Sequence, residues 1–162
     1  MSETLSHPTE EEEVLDLFSL SRFLPYRIVA LGQAMGQGLA AEYAEEFGLS
    51  IAEWRTLAVI GQYREALASQ VVAETPMDKA TISRAVSSLA DRGLVLRAPH
   101  QGDRRASLLR LTAEGERTFR SVAGRALAYE RSLLSALTDE EQRALNALLD
   151  KLSSASGQAD RT

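Results

Sequence analysis

Between Met77 and Thr112 the spacing of apolar residues changes from helical to strand-like within one short segment, MDKATISRAVSSLADRGLVLRAPHQGDRRASLLRLT. That switch of period points to a helix feeding directly into a β-hairpin. Ile82, Ala85, Val86 and Leu89 recur at helical spacing and form one apolar stripe. Asp78 stands where an N-cap belongs and Gly93 where a left-handed C-cap belongs. The opposite side of the helix carries Ala80, Ser83, Arg84 and Ser87, with Lys79 and Thr81 near its leading end. These side chains are short, hydroxylated or basic, which suits an element that fits closely into a groove and bonds there. Beyond Gly93, residues 94–97 and 107–111 read as short strands, and Pro99-His100-Gln101-Gly102-Asp103 is the turn cluster between them.

Charge marks the same segment. Over residues 79–110, Lys79, Arg84, Arg92, Arg97, Arg104, Arg105 and Arg110 stand against Asp91 and Asp103, a surplus of five positives in a chain of formal net charge −5. A basic island in an acidic protein is the electrostatic footprint of a nucleic-acid contact. Charge alone fits an ordinary solvated helix and hairpin equally well.

The rest of the chain narrows the choice. With 162 residues, 44% hydrophobic and 25% charged, it is long enough for one globular domain with helical extensions. No apolar run approaches the roughly 18 residues of a membrane span, and the acidic start MSETLSHPTEEEEV lacks the pattern of a signal peptide. The expectation is a cytoplasmic protein with no membrane partner. Cysteine is absent, which excludes disulfides, thiolate metal sites and thiol redox sensing; His7 and His100 lie in a tail and a turn, so no metal is expected. We find no nucleophile–base pair and no phosphate-cradling glycine loop, hence no catalytic residue, no cofactor and no enzyme.

In chain order, residues 1–13 read as a flexible acidic tail, followed by a helix starting near Val14. A long helix is predicted from about Ser21 to Phe47, with Ile28, Leu31, Met35, Leu39, Tyr43 and Phe47 in one stripe. Such a stripe outruns what a small domain covers and favours a subunit partner over a purely internal core. Ser50-Ile51-Ala52-Glu53 is a capping box opening a helix over about 51–64, in which Trp54 reads as core. A short helix over 67–74 ends at Thr75-Pro76, and the basic helix begins only a few residues later, a helix-turn-helix arrangement. Thr112 caps a helix to about Leu137, and Thr138-Asp139-Glu140-Glu141 opens a last one carrying Leu145, Leu148, Leu149 and Leu152. The final residues, 155–162, read as a flexible tail.

Taken together, LSIAEWRTLAVI, MDKATISRAVSSLADRGLVLR and DRRASLLRLTAEG resemble the MarR/SlyA family of winged helix-turn-helix transcription regulators. The match is densest between Leu49 and Gly115. The resemblance implies a mainly α fold with a small β-hairpin wing, in which a winged helix-turn-helix region at 49–111 is flanked by dimerisation helices at 14–48 and 112–154, all within one domain spanning 14–154. It implies a ligand-responsive homodimer that binds double-stranded DNA and represses transcription from a near-palindromic operator. Asp78 to Arg92 would enter the major groove, with Lys79, Thr81, Ser83, Arg84 and Ser87 nearest the DNA. Asp103 and Arg105 match the family's Asp-x-Arg wing signature, the arginine entering a narrow minor groove, while Arg104 and Arg97 would contact phosphates or support the wing. Some family members sense oxidants through a cysteine in the first helix, a route closed here. The expected effector is a small molecule, an aromatic acid or its CoA thioester, in a crevice lined by Tyr26, Arg27, Trp54 and Arg55; each of the four fits a core or surface role equally well. The alternatives are a winged-helix regulator of another family, PadR-like, and a helical interaction module that does not bind DNA.

Overall fold

The computed structural model describes residues 18–99 and 107–157. The chain divides after Gly38 into two units, and the fold of interest lies in the second. Along the whole chain the described elements follow in the order α1 (Leu24–Ala41), α2 (Ala44–Phe47), α3 (Ile51–Tyr63), β1 (Glu65–Leu67), α4 (Ala68–Glu74), α5 (Lys79–Asp91), β2 (Val95–Pro99), β3 (Ser107–Leu111), α6 (Ala113–Leu134) and α7 (Asp139–Ala155).

Helix starts fall where the capping residues place them. Ser50 and Glu53 form the reciprocal box that opens α3, and Thr138 and Glu141 repeat it at α7. Asp78 accepts the Thr81 N–H at 2.7 Å, and Thr112 accepts the Gly115 N–H at 2.9 Å. Each cap satisfies a backbone donor that has no partner inside the helix. At the other end of α5, Gly93 takes φ +69°, the left-handed conformation expected of it.

Two elements differ from the sequence reading. The single helix predicted to reach Phe47 stops at Ala41, where Glu42 and Tyr43 form a turn closed by N–H bonds to Leu39 and Ala40. This turn carries the Tyr43 ring into the core, 1% exposed and 5.9 Å from Trp54. The second difference is β1. Arg64 adopts φ +63°, turning the chain out of α3 into a three-residue strand that pairs with β3, Glu65 opposite Arg110 and Leu67 opposite Leu108. The expected two-stranded hairpin is therefore part of a three-stranded antiparallel sheet in the order β1-β3-β2.

The core of the second unit gathers Leu57 and Ile60 of α3, Val71 of α4, Ile82, Val86 and Leu89 of α5, Leu109 of β3 and Val122 of α6. Close approach fixes one glycine: a Cβ on Gly115 would stand 2.0 Å from the Leu94 carbonyl oxygen. Arg125 of α6 clamps α2 by donating to the Glu42 carbonyl at 2.9 Å, pairing with Glu46 and lying 5.5 Å over the Phe47 ring. The terminal helices are different. No residue of α7 is buried, and Leu145, Leu148, Leu149 and Leu152 remain 39–56% exposed. In α1, Ile28, Leu31 and Met35 are likewise exposed.

Candidate nucleic-acid interface

Helix α5 turns its whole apolar stripe inward and leaves its other side to solvent. Ile82, Ala85, Val86 and Leu89 are buried, while Lys79, Ala80, Ser83, Arg84 and Ser87 are exposed and Thr81 is half-buried. Its cap is firm, since the backbone N–H and hydroxyl of Thr81 hold the Asp78 carboxyl below its ordinary pKa. Arg84 donates to the Thr81 hydroxyl at 3.2 Å, so its guanidinium leans back toward the leading turn. Arg97 of β2 donates to Ser87 at 3.1 Å and links the base of the wing to the helix face. Between α4, α5 and the hairpin lies an open cleft of about 540 Å³, with Lys79, Ser83, Arg97 and Ser107 around an apolar floor that includes Ile82 and Leu109.

Two of the counted cations do not belong to this face. Arg110 pairs with Glu65 across β1 and β3. Arg92 donates to the carbonyls of Phe47 at 2.5 Å and Gly48 at 3.1 Å, closing the C-terminal end of α2. Arg92 also stands 3.8 Å from Glu53. The Glu53 carboxylate accepts the Ser50 N–H at 2.7 Å on one oxygen and the Ser88 hydroxyl at 2.5 Å on the other. Burial pushes the Glu53 pKa up, but the bonds from Ser88 and Ser50, with the nearby Arg92 charge, outweigh it and hold the group below the usual glutamate value. Sequence reasoning found Glu53 as a capping residue and missed its second role. No local pattern announces a bond to a serine 35 positions away.

Asp103, Arg104 and Arg105 lie outside the described residues, in the segment that joins Pro99 to Ser107, the outermost pair of the β2–β3 ladder. The four residues expected to meet an effector are placed as follows. Tyr26 and Arg27 are exposed on α1 in the first unit. In the second unit Trp54 is 9% exposed, packed between Tyr43 and, at 6.2 Å, Phe119, and Arg55 is half-buried. Burial raises the Tyr43 pKa, and the Arg55 charge opposes that rise. Among the described residues no group of three histidines, cysteines or carboxylates is placed to hold a metal ion. No described helix is long and apolar enough to cross a membrane.

The model of the MarR family matches residues 47–106, from the end of α2 into the segment after β2. The HTH-type transcriptional regulator BilQ of Clostridium symbiosum is 30% identical over 105 residues, covering 65% of this chain and 73% of that protein. This chain belongs to the MarR family. Its relatives are transcriptional regulators, not enzymes, and the assignment decides against the PadR-like alternative. The MarR-family fold is shared with the PcaV transcriptional regulator of Streptomyces coelicolor, solved in complex with its natural ligand. That match has a TM-score of 0.73 at 26% identity, over 86% of this chain and 97% of PcaV. It is shared also with Bordetella bronchiseptica BpsR, whose DNA binding is regulated by 6-hydroxynicotinic acid, at a TM-score of 0.74 and 22% identity over 84% of this chain and 96% of BpsR. In MarR-family terms α4 and α5 are the helix-turn-helix, and β2 and β3 the wing.

Proposed function

We propose that this protein is a homodimeric repressor that grips a near-palindromic operator with two copies of α5 and two wings. One observation carries the reading: α5 buries its whole apolar stripe, Ile82, Ala85, Val86 and Leu89, and offers solvent a face of small, hydroxylated and basic side chains. Such a face bonds to base edges and phosphates without an apolar surface to desolvate. Half-sites one helical turn apart would match two such helices related by a twofold axis. Asp103, Arg104 and Arg105 extend the grip, Arg105 into the minor groove, where a narrow A·T tract concentrates negative potential. Dimerisation is supported by the leucines of α7, which stay exposed among the described residues; burying one such side chain contributes roughly 1.5–3 kcal/mol.

The effector in this reading is a small aromatic acid or its CoA thioester, with Tyr26, Arg27, Trp54 and Arg55 as the contacts to substitute. The regulation of BpsR by 6-hydroxynicotinic acid, a hydroxylated aromatic carboxylate, supports that class. Such a ligand releases DNA only if it binds the dimer arrangement that misfits the operator more tightly than the one that fits.

The test begins by recovering from a random pool the duplex this protein selects. Arg105→Ala is expected to lose most of that affinity while remaining dimeric, and truncation after Leu137 to yield monomers or aggregates. Affinity for every duplex alike at low ionic strength, a monomeric full-length chain, or full operator affinity in Arg105→Ala would overturn the reading.

A further inference from the structure

We propose that Glu53 is a positioning residue for DNA recognition: through Ser88 and Arg92 it fixes the rotation and height of α5 against α3, and so sets where Ser83, Arg84 and Ser87 stand in the groove. The inference rests on the reading of α5 as the DNA-contacting helix.

A capping box needs one acceptor oxygen from its third residue, and one Glu53 oxygen serves that purpose on the Ser50 N–H. The other oxygen is surplus to capping. It takes the hydroxyl of Ser88 and faces Arg92, both at the trailing end of α5 and one helical turn apart. The Glu53 side chain is 12% exposed, so a full charge is held largely away from water. A neutral glutamine would cap α3 without that desolvation cost. Buried ion pairs are weak evidence for stability, and their best-attested use is to specify one arrangement among several.

An arrangement needs specifying here. Ile82, Val86 and Leu89 hold α5 to its neighbours by apolar contact, which is non-directional and tolerates small slides and rotations. A short bond to an ionised acceptor is directional. Ser88 lies one residue beyond Ser87 and one turn beyond Arg84, so any rotation of α5 that Glu53 prevents would carry those two side chains with it. Arg92 extends the tether to the carbonyls of Phe47 and Gly48, a second fixed point at the same end. Arg84 emerges beside the tether: Glu53, Thr81, Arg84 and Ser88 line one shallow groove of about 250 Å³ between α3 and α5.

The experiment compares the full-length wild type, Glu53→Ala, Glu53→Gln, Ser88→Ala and the double variant Glu53→Ala/Ser88→Ala. Two duplexes are used, the one the wild type selects from a random pool and a scrambled duplex of equal composition. Glu53→Ala and Ser88→Ala are each expected to lower affinity for the selected duplex roughly tenfold, the scale of one mismatched base pair. Affinity for the scrambled duplex and the salt dependence should not move, because no phosphate-binding cation has been removed. Glu53→Gln should recover part of the loss, and the double variant should bind no worse than Glu53→Ala. An unchanged ratio between the two duplexes in folded Glu53→Ala would overturn the proposal, as would additive losses in the double variant, which would make Ser88 a direct DNA contact. If Glu53→Ala does not fold, an unchanged ratio in Ser88→Ala has the same force. A wild type that selects no duplex removes the reading of α5 itself, a separate outcome.

Discussion

Replacing Gly115 by alanine sets two forces of opposite sign against each other. Helix propensity alone favours alanine inside α6 by about 1 kcal/mol. The added Cβ, however, would stand 2.0 Å from the Leu94 carbonyl oxygen and 3.0 Å from its carbon, both backbone atoms that no rotamer change can move aside. Ordinary contact begins near 3.4 Å, so the first turn of α6 and the start of β2 must part by more than an ångström. Two Thr112 donors hold that seam, the N–H bonding Leu94 at 3.0 Å and the hydroxyl bonding Gly93 at 2.7 Å and, more weakly, Leu94 at 3.4 Å. Losing them costs about 0.5–1.5 kcal/mol each, and overpacking adds about 1–3 kcal/mol. The net expectation is a destabilisation of about 1–5 kcal/mol once the propensity gain is subtracted. Urea denaturation at one fixed chain concentration measures it, because the stability of the proposed homodimer would depend on concentration. A Gly115→Ala protein as stable as the wild type, or more so, would refute the seam as described.

Thr56 is fully buried in α3, and among the described residues its hydroxyl has no hydrogen-bond partner. Thr56→Val keeps the shape and removes the unsatisfied group, so thermal unfolding should show a gain of about 1 kcal/mol, and a loss of stability would contradict the assignment. The folded pKa of Glu53 lies below its unfolded value. Its contribution is therefore complete above about pH 4.3, the ordinary glutamate value, and is lost as pH falls through the lower folded pKa. Denaturation measured across that acid window should fall less steeply in Glu53→Gln than in the wild type. Asp78 and Glu141, also held low by their caps, keep titrating in both proteins, so the slope is reduced and not abolished. Equal slopes would place the Glu53 shift elsewhere.

What could be read from the residues was local. Ser50, Asp78, Thr112 and Thr138 announced their helices because a cap acts within three positions, and the stripe from Ile82 to Leu89 announced the buried side of α5. What escaped was either too short or too distant. Strand β1 is three residues long, follows an arginine in a conformation that favours glycine, and meets partners more than 40 positions away. Arg92 and Arg110 add to the charge surplus, but their partners, the Phe47 carbonyl and the Glu65 carboxylate, lie 45 positions away in the chain. The break after Ala41 is set by the space that Tyr43 fills beside Trp54, which the pattern of the helix itself does not encode.

The strand order β1-β3-β2 has a mechanical consequence. The returning strand of the wing is the middle one, sewn on its far side to the link between α3 and α4 through Glu65, Ala66 and Leu67. Arg97 adds a stitch from the outgoing strand to α5. The described strands of the wing are thus tied to the elements beside them, β3 along β1 and β2 through Arg97 to α5. In the proposed reading, a ligand that tilts α5 would carry these strands with it, as a key turns with its bow.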